Sequence, residues 1–135
     1  MIGRIDHIVI NCRNIETTAR WYERALGFKR EIYRSPAGGG DRVSLKFGRH
    51  KFNLRETGDE SWPTARVDAP GSLDFCFITE GSLKPVMARW AAEGVEVTVG
   101  PSPRTGAEGR MMSIYCEDPD GNLVEVATYA ADPLA

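Results

Sequence analysis

Asp118-Pro119-Asp120-Gly121-Asn122-Leu123-Val124-Glu125 turns the chain and then starts a strand. Asp, Pro, Gly and Asn each favour a tight turn, and Leu123 to Thr128 then reads as a strand. Met111 to Cys116 before the turn is also strand-like, so the stretch makes a hairpin. Working back, Gly100 to Gly109 reads as a loop and Val95 to Val99 as a strand. Leu83 to Glu93 reads as a helix, N-capped by Ser82, with Pro85 tolerated in its first turn and Gly94 at its end. Leu73 to Ile78 is a strand. The order is β-α-β-β-β.

The same order occurs earlier. Ile5 to Asn11 is rich in β-branched residues and reads as a strand. Asn14 is a good N-cap for a helix over Ile15 to Leu26, with Ile15, Ala19, Tyr22 and Leu26 at helical spacing and Gly27 beyond. Phe28 to Tyr33, Val43 to Phe47 and Lys51 to Arg55 read as three strands. Ser35-Pro36-Ala37-Gly38-Gly39-Gly40-Asp41 reads as a flexible loop, and Gly48-Arg49 as a turn. His7 and Asp74 lie 67 apart (74 − 7), as do Gly27 and Gly94 (94 − 27). Strand–helix pairs of like length recur by chance; the shared order of the other three strands argues for a repeat. The expected fold is α+β: one domain over 1–135, with βαβββ modules at 1–57 and 72–130 forming curved mixed sheets around a cavity. Residues 57–71, with Gly58, Pro63, Pro70 and Gly71, make the linker.

The bulk numbers fit this reading. A chain of 135 residues suits one compact domain, and a net charge of −2 gives no basic face for nucleic acid. No stretch approaches the roughly 20 apolar residues of a membrane span, and the N-terminus lacks a signal-like apolar run. A cytoplasmic protein without nucleic-acid or membrane partners is expected. Cys12, Cys76 and Cys116 form no CxxC pair and read as reduced, mostly buried residues, a reactive thiol being the alternative.

Alternation assigns the polar residues to faces. Ile8/Ile10, Phe52/Leu54, Phe75/Phe77 and Val124/Val126 are the bulky faces, suited to cover by each module's helix. His7, Asn53, Asp74 and Glu125 lie opposite, each on a first or last strand of its module. If the sheets curl toward one another, these four converge. One imidazole and two carboxylates suit a divalent metal with an open position that polarises a substrate oxygen. The competing reading is a solvated sheet face, where such residues are common.

Ile5-Asp6-His7-Ile8-Val9-Ile10, the helix and turn from Trp21-Tyr22 to Leu26-Gly27-Phe28, and Asp118 to Glu125 together resemble the vicinal oxygen chelate superfamily. That superfamily includes glyoxalase I, extradiol dioxygenases, fosfomycin-resistance proteins, methylmalonyl-CoA epimerase and bleomycin-binding proteins. Phe52-Asn53-Leu54, Pro70-Gly71-Ser72 and Arg104-Thr105-Gly106-Ala107 resemble its glyoxalase-domain-containing, dioxygenase- or virulence-related subgroup. The resemblance implies metal ligands on the first and last strand of each module. His7 matches the first-strand histidine and Glu125 the glutamate after the turn. Asn53 stands where glyoxalase I has a glutamate, and Asp74 where many members have a histidine.

The expected metal set is therefore His7, Asp74 and Glu125, holding Mn²⁺, Fe²⁺, Mg²⁺ or Zn²⁺. Asn53 would orient substrate or water, and Glu125 would also move protons. Arg104, Arg110, Arg55 and Arg42 are candidates to hold an anionic small-molecule substrate, with Tyr115 lining the cavity or donating a proton. Solvated surface arginines and a packed tyrosine are the plain alternatives. The loop between Arg104 and Arg110 would close over the ligand. His50 and Glu56 have the opposite parity from Asn53. The function expected is a metal-dependent lyase, isomerase or ring-opening dioxygenase acting through bidentate chelation, and a homodimer. The alternative is a metal-free sequestration protein of the bleomycin-resistance type.

Overall fold

A computed structural model describes residues 1–36, 38 and 40–135. Ala37 and Gly39, within the expected flexible loop, lie outside the described residues. The chain forms two compact units, Met1–Ser72 and Leu73–Ala135.

Unit 1 carries β1 (His7–Cys12), α1 (Ile15–Leu26), β2 (Lys29–Arg34), β3 (Asp41–Phe47) and β4 (His50–Glu56). Its sheet runs β1-β4-β3-β2, with β1 parallel to β4 and the other pairs antiparallel. α1 starts where the Asn14 side chain accepts from the Thr17 N–H at 2.9 Å, and ends at Gly27, whose φ of 69° suits glycine. Its buried side chains are Thr18, Ala19, Tyr22 and Ala25; of the four residues read at helical spacing, Ala19 and Tyr22 are buried and Ile15 and Leu26 half-buried. Tyr22 meets Phe52 edge-on at 5.7 Å and stacks on Phe28 at 5.6 Å, so the helix covers the Phe52/Leu54 face.

Unit 2 repeats the plan with β5 (Asp74–Ile78), α2 (Lys84–Glu93), β6 (Val99–Gly106), β7 (Gly109–Glu117) and β8 (Leu123–Thr128), in the order β5-β8-β7-β6. Trp90, Leu83, Ile114, Cys116 and Val124 are fully buried. The two sheets with their helices give the tandem-module α+β fold expected from the repeat.

Three local expectations are corrected. Val95 to Val99 is not a strand; β6 starts at Val99 and runs through the stretch read as a loop. Pro101 and Pro103 caused the misreading, but β6 is an edge strand, where a missing N–H costs no ladder bond. The Arg104–Arg110 segment is accordingly a hairpin, not a long lid: only Ala107 and Glu108 separate β6 from β7. Finally, Leu83 rather than Ser82 is the residue at the α2 N-cap, although the Ser82 Oγ still accepts from the Lys84 N–H at 3.1 Å.

The closing motif is turn chemistry. Asp118 Oδ1 accepts from the Asp120 and Asn122 N–H groups, both at 2.9 Å, and Oδ2 accepts from Asn122 Nδ2 at 2.7 Å. Asn122 Oδ1 accepts from the Leu73 N–H, tying the turn to the start of β5.

Candidate functional site

In unit 2 the register defines one polar face. Cys76 is opposite Glu125 across β5–β8, and Tyr115 is opposite Glu125 across β7–β8. Asp74, Ser113 and Arg104 share that face by alternation. Glu125 Oε2 accepts from the Ser113 Oγ at 2.6 Å. The Arg104 Nε donates to the Tyr115 hydroxyl at 2.9 Å, with the guanidinium 5.4 Å from the ring centre. Burial pushes the Tyr115 phenol up, and the charge of Glu125 adds to this against the pull of Arg104. Burial, then Glu125 and Asp74, push the Cys76 thiol up to about 12. Cys76 is exposed rather than buried as expected, and its thiol stays protonated, which makes it a poor nucleophile. Arg110 lies on the opposite face, opposite Thr105, and does not join this group.

In unit 1 the corresponding face carries His7, Asn53 and Arg55. His7 Nδ1 bonds Asp6 at 2.9 Å, which leaves Nε2 outward; this hydrogen bond is the leading reason the Asp6 carboxyl sits below the usual carboxylate range. Beside His7 on β4 stands Lys51, and beside Lys51 on β3 stands Lys46. Arg55 is buried: Nη1 donates to Asn11 and to Asp68, both at 2.8 Å, and Nη2 donates to the Asp59 carbonyl at 2.6 Å. His50 spends Nδ1 on the Ile5 carbonyl at 2.8 Å, and Glu56 is exposed.

Among the described residues, no three or more His, Cys, Asp or Glu side chains form a group able to hold a metal. Taken singly, unit 1 offers His7 and unit 2 offers Asp74 and Glu125, so neither supplies the three expected ligands. The donors within one unit do not make up a metal centre.

Sequence reasoning placed Ser113 on the face of Tyr115 without giving it a role, and missed Ser44 and Asp68. A strand serine carries no signal by itself, although Ser113 shares the parity of Tyr115.

The family model described as Glyoxalase/Bleomycin resistance protein/Dioxygenase superfamily matches residues 4–126. The chain is 42% identical to the Virulence protein STM3117 of Salmonella typhimurium, over 96% of this chain and 86% of that protein. The crystal structure of that protein aligns with a TM-score of 0.88, covering 96% of this chain and 99% of the solved one. The chain is 39% identical to the Glyoxalase domain-containing protein RDO1 of Mycosarcoma maydis, over 95% and 69% of the two chains. At the level of fold alone it resembles a Lactoylglutathione lyase from Agrobacterium tumefaciens, at 23% identity, TM-score 0.70 and 96% coverage of each chain. A match over residues 4–126, together with relatives this similar along nearly the whole chain, leads to one conclusion: the protein belongs to the Glyoxalase/Bleomycin resistance protein/Dioxygenase superfamily.

Proposed function

We propose that the chain is an enzyme that moves a proton on a small oxygen-bearing substrate, with Glu125 as the base, in a lyase- or isomerase-type reaction. The observation that carries this reading is the carboxylate of Glu125 set among hydroxyl groups, with Ser113 bonded to one oxygen and Tyr115 opposite it. The bond from Ser113 fixes the carboxylate, a pre-organisation that costs nothing at the moment of reaction. Glu125 takes the proton from carbon next to a carbonyl. The phenol of Tyr115, kept protonated by burial, donates to the oxygen that gains charge. Arg104 holds the phenol and adds its own positive charge to that oxygen.

Solvent-deuterium exchange into small carbonyl compounds, followed by proton NMR with the full chain, tests this. Exchange that is lost in Glu125→Gln supports the reading; exchange unchanged in Glu125→Gln sinks it. Tight binding of a ligand without any turnover replaces it with the sequestration reading, which the neutral Asn53 favours.

A metal-dependent form of the reaction is favoured by one observation. The Asp6–His7 bond is the arrangement that orients a metal-ligating histidine through its other nitrogen. His7, Asp74 and Glu125 would hold the ion, which would supply polarisation to substrate oxygens that chelate it. Metal analysis of protein purified without chelator, compared with His7→Ala, decides it: no stoichiometric metal, even after reloading, removes this form. Arg110 enters as a substrate-holding candidate only through its charge. A cytoplasmic homodimer completes the proposal, and light scattering at several protein concentrations checks the dimer.

A further inference from the structure

Among the described residues, five buried side-chain atoms lack a hydrogen-bond partner: Arg42 Nε, Ser44 Oγ, Asn53 Oδ1, Arg55 Nε and Ser102 Oγ. Four of the five belong to one block in unit 1. Val43 faces Leu54 across β3–β4, and Ser44 faces Asn53. Arg42 and Ser44 on β3, and Asn53 and Arg55 on β4, therefore project from the same side of two adjacent strands, away from the helix. Ser44 is 1%, Arg55 3% and Asn53 7% exposed. A buried polar group without a partner is costly, so a cluster of them on one patch of sheet demands an explanation.

The segment after β4 explains how the two arginines are held. Arg55 spends both Nη atoms on Asn11, Asp68 and the Asp59 carbonyl. Arg42 donates an Nη to the Ser61 carbonyl at 3.3 Å and lies 4.0 Å over the Trp62 ring. The outer ends of both guanidiniums are thus fixed by residues 59–68, and each is left with an unused Nε–H. The block offers Ser44 Oγ–H, two Nε–H groups and an amide that presents either of its ends. One water has two acceptor sites and cannot serve three donors, whereas a carboxylate has about four.

Charge narrows the choice. Two guanidiniums face two carboxylates: Asp68, bonded to Arg55, and Asp59, whose carboxyl both arginines help to hold below its usual range. Asp59 engages Ser61, and Glu31, opposite Ser44 on β2, is paired with Lys46 at 3.6 Å. The two guanidiniums are thus balanced by two carboxylates, so the three unused donors suit a singly charged ligand better than a dianion. We propose that this block is an oxyanion subsite that takes the carboxylate of a small organic molecule. The subsite stands on unit 1 alone and does not depend on the role of Glu125.

The Nε–Hε signals of the two arginines report on it directly in ¹H–¹⁵N spectra of the full chain, with acetate as the probe. The expected result is that acetate shifts the Arg42 and Arg55 signals, while chloride at equal ionic strength does not. Ser44→Ala is expected to weaken acetate binding about tenfold, the loss for one hydrogen bond to a charged acceptor. The same variant should melt no lower than the parent, because it removes a group that has no partner; a merely structural hydroxyl would lower the melting temperature. Signals unmoved by acetate, or moved equally by chloride, overturn the proposal. A response to inorganic phosphate in preference to acetate overturns the carboxylate assignment.

Discussion

At equivalent positions the two units share a backbone plan and differ in chemistry. In unit 1 the central row across three strands is Val9–Asn53–Ser44; in unit 2 it is Cys76–Glu125–Tyr115. One row up, His7–Lys51–Lys46 in unit 1 answers to Asp74–Leu123–Glu117 in unit 2. Where unit 1 carries an imidazole and two ammonium groups, unit 2 carries two carboxylates. Both units bury one bulky face of their sheet, and that requirement constrains only alternate residues. The other face is free to differ, and the two repeats carry different chemistry on it.

The largest effect should come at the centre of the unit 2 row. Glu125→Gln keeps the size of the side chain and removes the base, and is expected to cut proton exchange about 10²–10⁴-fold. The equivalent unit 1 exchange, Asn53→Asp, should weaken acetate binding, because it places a negative charge beside the anion block. Acetate binding unchanged in Asn53→Asp would mean that Asn53 does not line the anion block.

The turns between the last two strands of each unit differ in the same way, with smaller consequences. Asp118 is buried and serves three donors in unit 2. Asp118→Ala strands those donors and should cost about 3 kcal/mol in urea unfolding. Unit 1 closes with Gly48-Arg49, and Gly48 has φ 53°. Gly48→Ala forces a side chain into left-handed backbone and should cost about 1–2 kcal/mol. Nothing stands within 4 Å of a Cβ built there, so the cost is conformational rather than steric packing.

These contrasts show where the sequence was legible. Asn14 and Gly27 bracket α1 because caps are local chemistry, written in the residues that perform it. β6 was misread because Pro101 and Pro103 are breakers in a central strand but harmless on an edge, and edge position is a property of the whole sheet. The face of Glu125 could be found by alternation. The bond from Ser113 required the β7–β8 register, and the burial of Arg55 required partners on β1 and on the segment after β4. Ser44 gave no signal at all, since its significance lies in the bond it fails to make.

The subtlest expected difference is in the response of each unit to pH. The carboxyls held below their usual range, those of Asp6, Glu16, Asp59 and Asp68, all lie in unit 1. Arg55 is the main cause for Asp68, followed by the Gly58 N–H. A lowered carboxyl contributes its full stabilisation above its ordinary value of 3.8 and loses it as the pH falls through the folded value. The groups pushed up, Cys76, Tyr115 and Cys116, all lie in unit 2. Each of the two thiols contributes fully below 9.0 and loses that contribution as the pH rises toward about 12. Acid should therefore loosen unit 1 first and alkali unit 2, as read by backbone hydrogen exchange at each extreme. Asp68→Asn should flatten the acid limb of stability against pH and leave the alkaline limb alone, while Cys116→Ala should do the reverse. An acid limb that Asp68→Asn leaves unchanged would show that the Arg55–Asp68 pair contributes nothing to the stability of unit 1.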